Sequence, residues 1–276
     1  MDDPRFSICM ITTPNWDLGQ CIEGWARHGV KAIGLTRASL DEYGTKKGLR
    51  HLKDSGLKVT NYQGIGRYTH DGPPISAVVD ELVEHMDVAA ELQVDCIFVM
   101  SGPRDHLSWE DAASRFREEL HLLLPHAKDR GLKLAIEPIH PIRQDLTFMS
   151  TARDTYRLIQ SIEDDHLGYV FDFWHLWFAP GIEDTIRASS SSIFNVQISD
   201  HKAVTLRTLD RTAPGEGIAP CPAMIRALEE SGYSGYYEME IVSPDHEKLG
   251  YDAALKRSIS SYQDLRSQAA SGGKGI

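Results

Sequence analysis

The sequence predicts a single (β/α)8 TIM barrel, and three observations lead to this prediction. The chain has 276 residues, a length that α/β barrels commonly reach as one domain. Short apolar runs rich in β-branched residues alternate with longer segments of helical period, as expected for βαβ units around a parallel sheet. No change of composition divides these units, so we expect a barrel over residues 1–266 and a flexible C-terminal tail at 267–276.

Eight apolar runs are predicted as strands, and an amphipathic segment follows each of the first seven. Turn glycines after several of these segments, as in His28-Gly29, Ser55-Gly56 and Arg130-Gly131, predict helix ends. The predicted strands are residues 7–11, 32–35, 58–62, 96–100, 133–137, 168–172, 193–198 and 235–241. The predicted helices are residues 18–28, 39–55, 75–92, 109–130, 151–162, 183–188 and 221–231.

Composition excludes several classes of protein. There are 40 acidic and 29 basic residues, a net charge of −11, which disfavours nucleic acid as a partner because the phosphate backbone attracts basic surfaces. Four cysteines without a Cys-x-x-Cys pair indicate neither a disulfide scaffold nor a thiolate zinc site, and they suit a reducing cytoplasm. No apolar run approaches the roughly 18–20 residues of a membrane span, and we find no targeting segment.

Four of the predicted strands are closed by a polar residue. These residues are Glu137, Asp172, Gln197 and Glu240. Active sites of TIM barrels form at the C-terminal ends of the strands, so the four side chains are expected to meet there. Three buried carboxylates would repel one another without a cation. Oxygen donors favour Mn²⁺ first, with Mg²⁺ or Co²⁺ as alternatives. Taken singly, each residue is also compatible with a helix N-cap or a buried ion pair.

Two histidines each lie three residues after a predicted ligand. His140 follows Glu137 and is a candidate general base, whereas His175 follows Asp172 and is a candidate substrate contact. A third, His201, is a weaker candidate of the same kind.

A loop after the seventh strand, residues 210–217, adds Arg211 and Glu216 as candidate substrate contacts. The glycines on either side of Glu216 allow a ligand to approach the backbone, and the Arg211 guanidinium can bind ligand oxygens with its planar fork. Trp16, near the end of the first strand, is a candidate surface for stacking a sugar ring. Exposed loop residues and ordinary core packing are the alternatives for this group.

Several of these segments together resemble the xylose-isomerase-like TIM barrels. They are Ile136-Glu137-Pro138, Asp172-Phe173-Trp174-His175, Val196-Gln197-Ile198-Ser199-Asp200, Arg211 with Pro214-Gly215-Glu216-Gly217, and Gly235-Tyr236-Tyr237-Glu238-Met239-Glu240. The superfamily includes sugar isomerases and epimerases, inosose dehydratases and endonuclease IV. The resemblance implies a divalent metal, commonly Mn²⁺, held by Glu137, Asp172, Gln197 and Glu240, with His175 and Arg211 on the substrate.

The sequence departs from the epimerases of this family at one ligand. Many of them carry a histidine in a Val-His-Ile-Lys-Asp pattern, where this chain has Gln197. The Glu-x-x-His of Glu137 and His140 also resembles the catalytic subunits of C-glycoside deglycosidases, which need a small β-rich partner subunit. A homo-oligomer and a complex with such a subunit are both compatible with the sequence.

The chemistry expected of such a site is abstraction of a proton α to the carbonyl of a keto-sugar, 3-keto-glycoside or cyclitol. The base is His140, Glu137 or Glu240. Return of the proton to the other face gives epimerisation, whereas loss of a β-substituent gives elimination. Two alternatives are a phosphodiesterase like endonuclease IV, which the acidic charge disfavours, and a non-catalytic sugar-binding subunit.

Overall fold

The computed structural model is a closed barrel of eight parallel strands surrounded by helices, which confirms the predicted fold. It describes residues 3–66, 73–205, 207 and 209–271. The barrel strands are β1 (Phe6–Cys9), β2 (Ala32–Thr36), β3 (Lys58–Gly66), β4 (Cys96–Met100), β5 (Leu134–Ile136), β6 (Leu167–Asp172), β7 (Ile193–Ile198) and β10 (Tyr237–Met239). Around the barrel their order is β1-β10-β7-β6-β5-β4-β3-β2.

Two further strands form a separate small sheet beside the end of β7. Strand β8 (Asp200–His201) pairs in antiparallel orientation with β9 (Arg211–Thr212), and His201 lies opposite Arg211. This sheet lies outside the eight predicted strands. It matters for the site because it places Arg211 at the C-terminal end of the barrel.

The predicted helical segments correspond to helices with approximately the same bounds, with one exception. The segment 39–55 is two helices, because Gly44 has a φ of +91° that a continuous α-helix cannot include. The short helices Phe173–Leu176 and Pro244–Leu249 were not predicted. The helices are α1 (Leu18–Arg27), α2 (Arg37–Tyr43), α3 (Thr45–Ser55), α4 (Val79–Glu91), α5 (Trp109–Asp129), α6 (Ala152–Gln160), α7 (Phe173–Leu176), α8 (Ile182–Ser189), α9 (Cys221–Glu230), α10 (Pro244–Leu249) and α11 (Tyr251–Ser271).

Side-chain caps explain why several helices begin where they do. Asp17 and Gln20 form a reciprocal capping box at the start of α1, and the hydroxyls of Ser108 and Thr151 accept backbone N–H groups at the starts of α5 and α6. Each cap satisfies amide groups that the first turn of a helix leaves without a partner.

The last helix, α11, completes the eighth βα unit and was not predicted. Its buried positions include Leu255, Ile259, Tyr262 and Leu265, which recur at helical spacing. The tail expected to be flexible from residue 267 is helical up to Ser271, so the proposed boundary lies inside α11. Residues 272–276 lie outside the described part of the chain.

The barrel interior has an apolar half and a polar half. On the β4 to β6 side, a small apolar cluster of Cys96, Phe98, Ala135 and Val170 faces away from the large cluster that packs the barrel against the helices. On the other side the interior is polar. Its buried residues include Ser7, Asn61, Asn195, Gln197 and Glu238. This polar half lies directly beneath the C-terminal end of the barrel.

Two further observations bear on the expectations from composition. The four cysteines, all within the described residues, are buried and free. Among the helices that the structure describes, none is both long and apolar enough to cross a membrane.

Candidate active site

The four residues predicted to close their strands lie at the C-terminal end of the barrel, which we call the mouth. Glu137 directly follows β5, Asp172 ends β6, Gln197 lies on β7 and Glu240 directly follows β10. Asp172 and Gln197 are register partners on adjacent strands. All four are at most 7% exposed. The structure thus places the four residues at the same end of the barrel. Glu137 and Asp172 form one possible ligand cluster with His175, and Glu240 forms a second with Glu238 and Cys9.

Asp172 is a helix cap and one half of a buried ion pair. Its Oδ1 accepts the backbone N–H groups of Trp174 at 2.7 Å and His175 at 3.2 Å, which fixes the start of α7. Its Oδ2 accepts a hydrogen bond from Arg211 at 2.7 Å. Burial raises its pKa, but Arg211 and His175 outweigh this effect and the pKa of Asp172 is lowered overall. Asp172 therefore remains ionised.

Arg211 supplies the positive charge at the centre of the mouth. Besides Asp172, it contacts Oε1 of Glu240 at 2.8 Å, the hydroxyl of Ser199 at 3.2 Å and the backbone oxygen of Glu240 at 3.3 Å. Its guanidinium also lies over the ring of Trp174, 5.5 Å from the centroid. The carboxylates of Asp172 and Glu240 raise the pKa of Arg211 despite its burial.

Gln197 lies between two glutamates. Its Nε2 donates to Oε1 of Glu238 at 3.2 Å and to Oε2 of Glu240. Its Oε1 is buried and has no hydrogen-bond partner. A buried acceptor without a partner is unfavourable by about 1–3 kcal/mol, so a donor or cation beside this oxygen would stabilise the site.

Among the predicted ligands, Glu137 and Glu240 are the two carboxyl groups whose pKa is raised. Burial raises the pKa of Glu137 well above its usual range, and Glu240 and Asp172 increase it further. Burial also raises the pKa of Glu240 to about 7, although Arg211 opposes this. Donor atoms of Glu137, Asp172 and His175 lie within 4.8 Å of one another. Glu137 and Glu240 are therefore the members of the predicted ligand set that hold a proton most readily.

The three histidines differ in their surroundings. His175 is buried, its Nε2 lies 3.1 Å from Arg211, and burial lowers its pKa to about 3, so it is neutral. His140 is half-buried, its ring lies 5.0 Å from that of Phe178, and burial together with His201 lowers its pKa. His201 stacks on Trp174 at 5.2 Å.

Glu238 was not identified from the sequence as a site residue. It is fully buried inside the barrel, two residues before Glu240 on the same strand face. Burial and the charge of Glu240 raise its pKa to about 8, while hydrogen bonds from Asn61 and Gln197 oppose the increase. The signal was present as a second glutamate, two residues before Glu240, within the apolar run of the eighth strand.

A cavity of about 620 Å³ opens beside Glu137 at the mouth. Trp16 lies in its wall, as its predicted role in substrate binding requires. The other lining residues come chiefly from the ends of β1 to β4 and were not predicted. They include Met10, Pro14, Thr36, Arg37, Asp41, Gln63 and Met100. A volume of this size is typical of small-molecule sites.

Glu216 does not face the mouth, contrary to the predicted substrate contact. Its carboxylate accepts hydrogen bonds from Arg257 at 2.9 Å and Ser261 at 3.1 Å on α11. The adjacent loop is held by Asp200, whose side chain accepts the backbone N–H groups of Gly215 and Gly217. The two glycines therefore allow the loop to pack against Asp200. Glu216 attaches the same loop to α11.

The residues at the mouth fit a divalent metal ion. Three carboxylates converge there with the Arg211 guanidinium. Burial is the main cause of the raised pKa of Glu137 and Glu240, and repulsion from neighbouring carboxylates adds to it. The unpartnered Oε1 of Gln197 adds a neutral oxygen donor at the same place. Oxygen donors of this kind suit hard divalent cations.

Comparisons with known proteins agree with the fold. An inosose isomerase of Bacillus licheniformis is 28% identical over 263 residues, which span 89% of this chain and 91% of that protein. An inosose isomerase of Halalkalibacterium halodurans is 30% identical over 135 residues, but the match spans only 46% of that protein.

Solved structures share the architecture. The IOLI protein, solved with a zinc atom bound, superposes with a TM-score of 0.85 and 22% identity over 96% of this chain and 99% of that one. The family model described as "Xylose isomerase-like TIM barrel" matches residues 22–261. The chain therefore belongs to the xylose isomerase-like TIM barrel family.

Proposed function

We propose that this protein is a divalent-metal-dependent isomerase or epimerase of an uncharged keto-sugar or cyclitol, and that it moves a proton α to the carbonyl group. One observation carries the proposal: three buried carboxylates and an unpartnered amide oxygen converge beside a cavity of about 620 Å³. The similarity to inosose isomerases favours a cyclic ketone of this type as the substrate.

Glu137, Asp172, Gln197 and Glu240 are the residues that would hold the metal. Their oxygen donors favour Mn²⁺, in contrast to the zinc atom of the IOLI structure. When bound, the metal supplies a Lewis acid that withdraws electron density from a substrate carbonyl oxygen and stabilises negative charge there.

Glu137 is the proposed proton acceptor. The predicted base candidates are all within the described residues, and of these Glu137 is the one that lines the cavity. Burial beside Glu240 and Asp172 raises the pKa of its carboxyl group well above the usual range, which makes the carboxylate a stronger base. Glu240 is held on both sides, by Arg211 and Gln197, and His140 packs against aromatic rings. Glu137 thus has the access that abstraction requires.

The charges of the cavity favour a substrate without a phosphate group. Among the described lining residues Arg37 is the one cation, and it pairs with Asp41 at 3.5 Å and with Glu81. A phosphate would have to displace these carboxylates to reach the guanidinium. Trp16, with its ring in the cavity wall, offers an apolar surface for one face of a sugar ring.

Solvent deuterium exchange tests the proposal. The metal-stripped protein is incubated in D₂O with an inosose, a ketohexose or a 3-keto-glycoside, with and without Mn²⁺, and the α-proton is followed by NMR. We expect exchange and isomer formation that depend on Mn²⁺. The Glu137→Gln variant should be slower by at least about 100-fold, since it lacks the proton acceptor.

The Glu183→Gln variant serves as the control, because Glu183 is an exposed residue of α8 paired with Arg187. It should match the wild-type rate. Absence of exchange on every substrate, or exchange that is independent of metal, would refute the proposed function. Release of water or of an aglycone in place of an isomer would reassign the protein to the lyases.

A further inference from the structure

Glu238 occupies an unusual position for a carboxyl group. It is the central residue of β10, and its neighbours Tyr237 and Met239 belong to the apolar cluster outside the barrel. Glu238 therefore points to the interior, where it is fully buried. Burial of a carboxyl group is costly unless hydrogen bonds compensate for the lost hydration.

The barrel makes room for this carboxyl group and surrounds it with donors. A Cβ atom added at Gly34 on β2 would lie 2.1 Å from Oε2 of Glu238, so the glycine leaves the required space. The amide of Asn61 donates to Oε2, and the amides of Gln63 and Gln197 donate to Oε1, each at 3.2 Å. The carboxyl group is thus held by three amide donors from two strands, β3 and β7.

The contact with Gln197 decides how its amide is oriented. The Nε2 group has two hydrogens, and its two acceptors are the carboxylates of Glu238 and Glu240. In the opposite orientation the acceptor Oε1 would face oxygen atoms on both sides, and Nε2 would lose both of its hydrogen-bond acceptors. The amide therefore keeps Nε2 toward the glutamates and leaves Oε1 without a protein partner.

We propose that Glu238 is a positioning residue, which fixes the amide of Gln197 so that its carbonyl oxygen is presented to the metal. This inference rests on the proposed metal site, to which it adds a specific requirement. A glutamine ligand has two chemically different ends, only one of which binds a cation. Residues that orient metal ligands in this way commonly contribute roughly 10–100-fold to metal affinity.

A double-mutant cycle tests the proposal through metal affinity. Mn²⁺ is titrated by calorimetry into the metal-stripped wild-type protein and into Glu238→Gln, Gln197→Met and the double variant. Methionine keeps approximately the volume of Gln197 and removes its amide. We expect Glu238→Gln to weaken Mn²⁺ binding at least roughly tenfold. In the Gln197→Met background, the same substitution should have no further effect.

Ser7→Ala is the matched control. Ser7 is the register partner of Glu238 on β1, is buried, and its hydroxyl has no hydrogen-bond partner. It should bind Mn²⁺ as the wild-type protein does. Thermal unfolding of each metal-free variant separates lost folding from lost affinity.

The outcomes distinguish the two proposals. If the wild-type protein binds no Mn²⁺, both this inference and the proposed function are overturned. If wild type binds Mn²⁺ and Glu238→Gln binds it equally well, only the positioning role is refuted. An equal loss of affinity in both backgrounds would also refute it, because Glu238 would then act through its charge and not through Gln197.

Discussion

Arg211 is the residue on which the charge balance of the mouth depends. It pairs with Asp172 and Glu240, both of them candidate metal ligands, and its burial is nearly complete. Removing one partner of a buried ion pair leaves an uncompensated charge, which costs more than the pair contributes. A metal ion at the same place would compensate the same two carboxylates.

The first prediction concerns the Arg211→Met variant. Its metal-free form should lose about 3–5 kcal/mol of unfolding free energy, because Asp172 and Glu240 remain buried without their cation. Added Mn²⁺ should raise the unfolding free energy of the variant by more than that of the wild-type protein. Urea unfolding with EDTA or with Mn²⁺ measures both quantities. Equal stability of the two metal-free proteins would contradict this charge balance.

Strands β2 and β10 lie on either side of β1, and Gly34 on β2 leaves the space that the Glu238 side chain of β10 occupies. In the Gly34→Ala variant the new methyl group would meet the Glu238 carboxylate, and we expect a loss of about 1–3 kcal/mol in unfolding free energy. In a Glu238→Ala background the same change should cost less, since the nearest obstructing group is absent and the Asn61 amide, 2.9 Å from the new Cβ, remains. Unfolding of the four proteins in urea gives the coupling energy, and additive effects would show that Gly34 does not accommodate Glu238.

Helices α10 and α11 are joined by a buried hydrogen bond between His246 and Ser258, 2.9 Å long. Burial lowers the pKa of His246 to about 4, below the roughly 6.5 of an unfolded histidine. As pH falls the unfolded chain takes up this proton first. The contribution of neutral His246 to stability is therefore fully present above about pH 6.5 and is lost as the pH falls toward 4.

We therefore predict that titration of His246 contributes to the pH dependence of the unfolding free energy. Between pH 6.5 and 4.5 the wild-type protein should lose more unfolding free energy than the His246→Gln variant, by at most about 1.4 kcal/mol per pH unit. Urea unfolding at several pH values measures the difference. Parallel pH profiles for the two proteins would show that His246 does not titrate in this window.

At the scale of the whole molecule, the sequence was sufficient to predict all eight barrel strands, and the reason is physical. Strands of a parallel barrel are covered on both sides and appear as continuous apolar runs. The helices were predicted less completely than the strands. The split at Gly44 depends on a backbone angle, and α11 was overlooked although Leu255, Ile259 and Tyr262 recur at helical spacing.

The positions of candidate site residues were predicted correctly where the fold alone decides the direction of a side chain. Glu137 and Glu240 were identified because they end their strands, and every strand end points to the mouth. Glu216 was assigned wrongly because a loop residue can face either way, and here it faces Arg257. Glu238 and Gln63 were missed because their importance depends on contacts between distant strands.

The measurement that tests the account most directly is a crystal structure of the protein grown with Mn²⁺, with anomalous diffraction used to locate the ion. We predict one strong peak at the mouth, bonded to oxygens of Glu137, Asp172, Gln197 and Glu240. A mouth without an anomalous peak at saturating Mn²⁺, or an ion bound only at other residues, would contradict the metal-dependent chemistry proposed for this barrel.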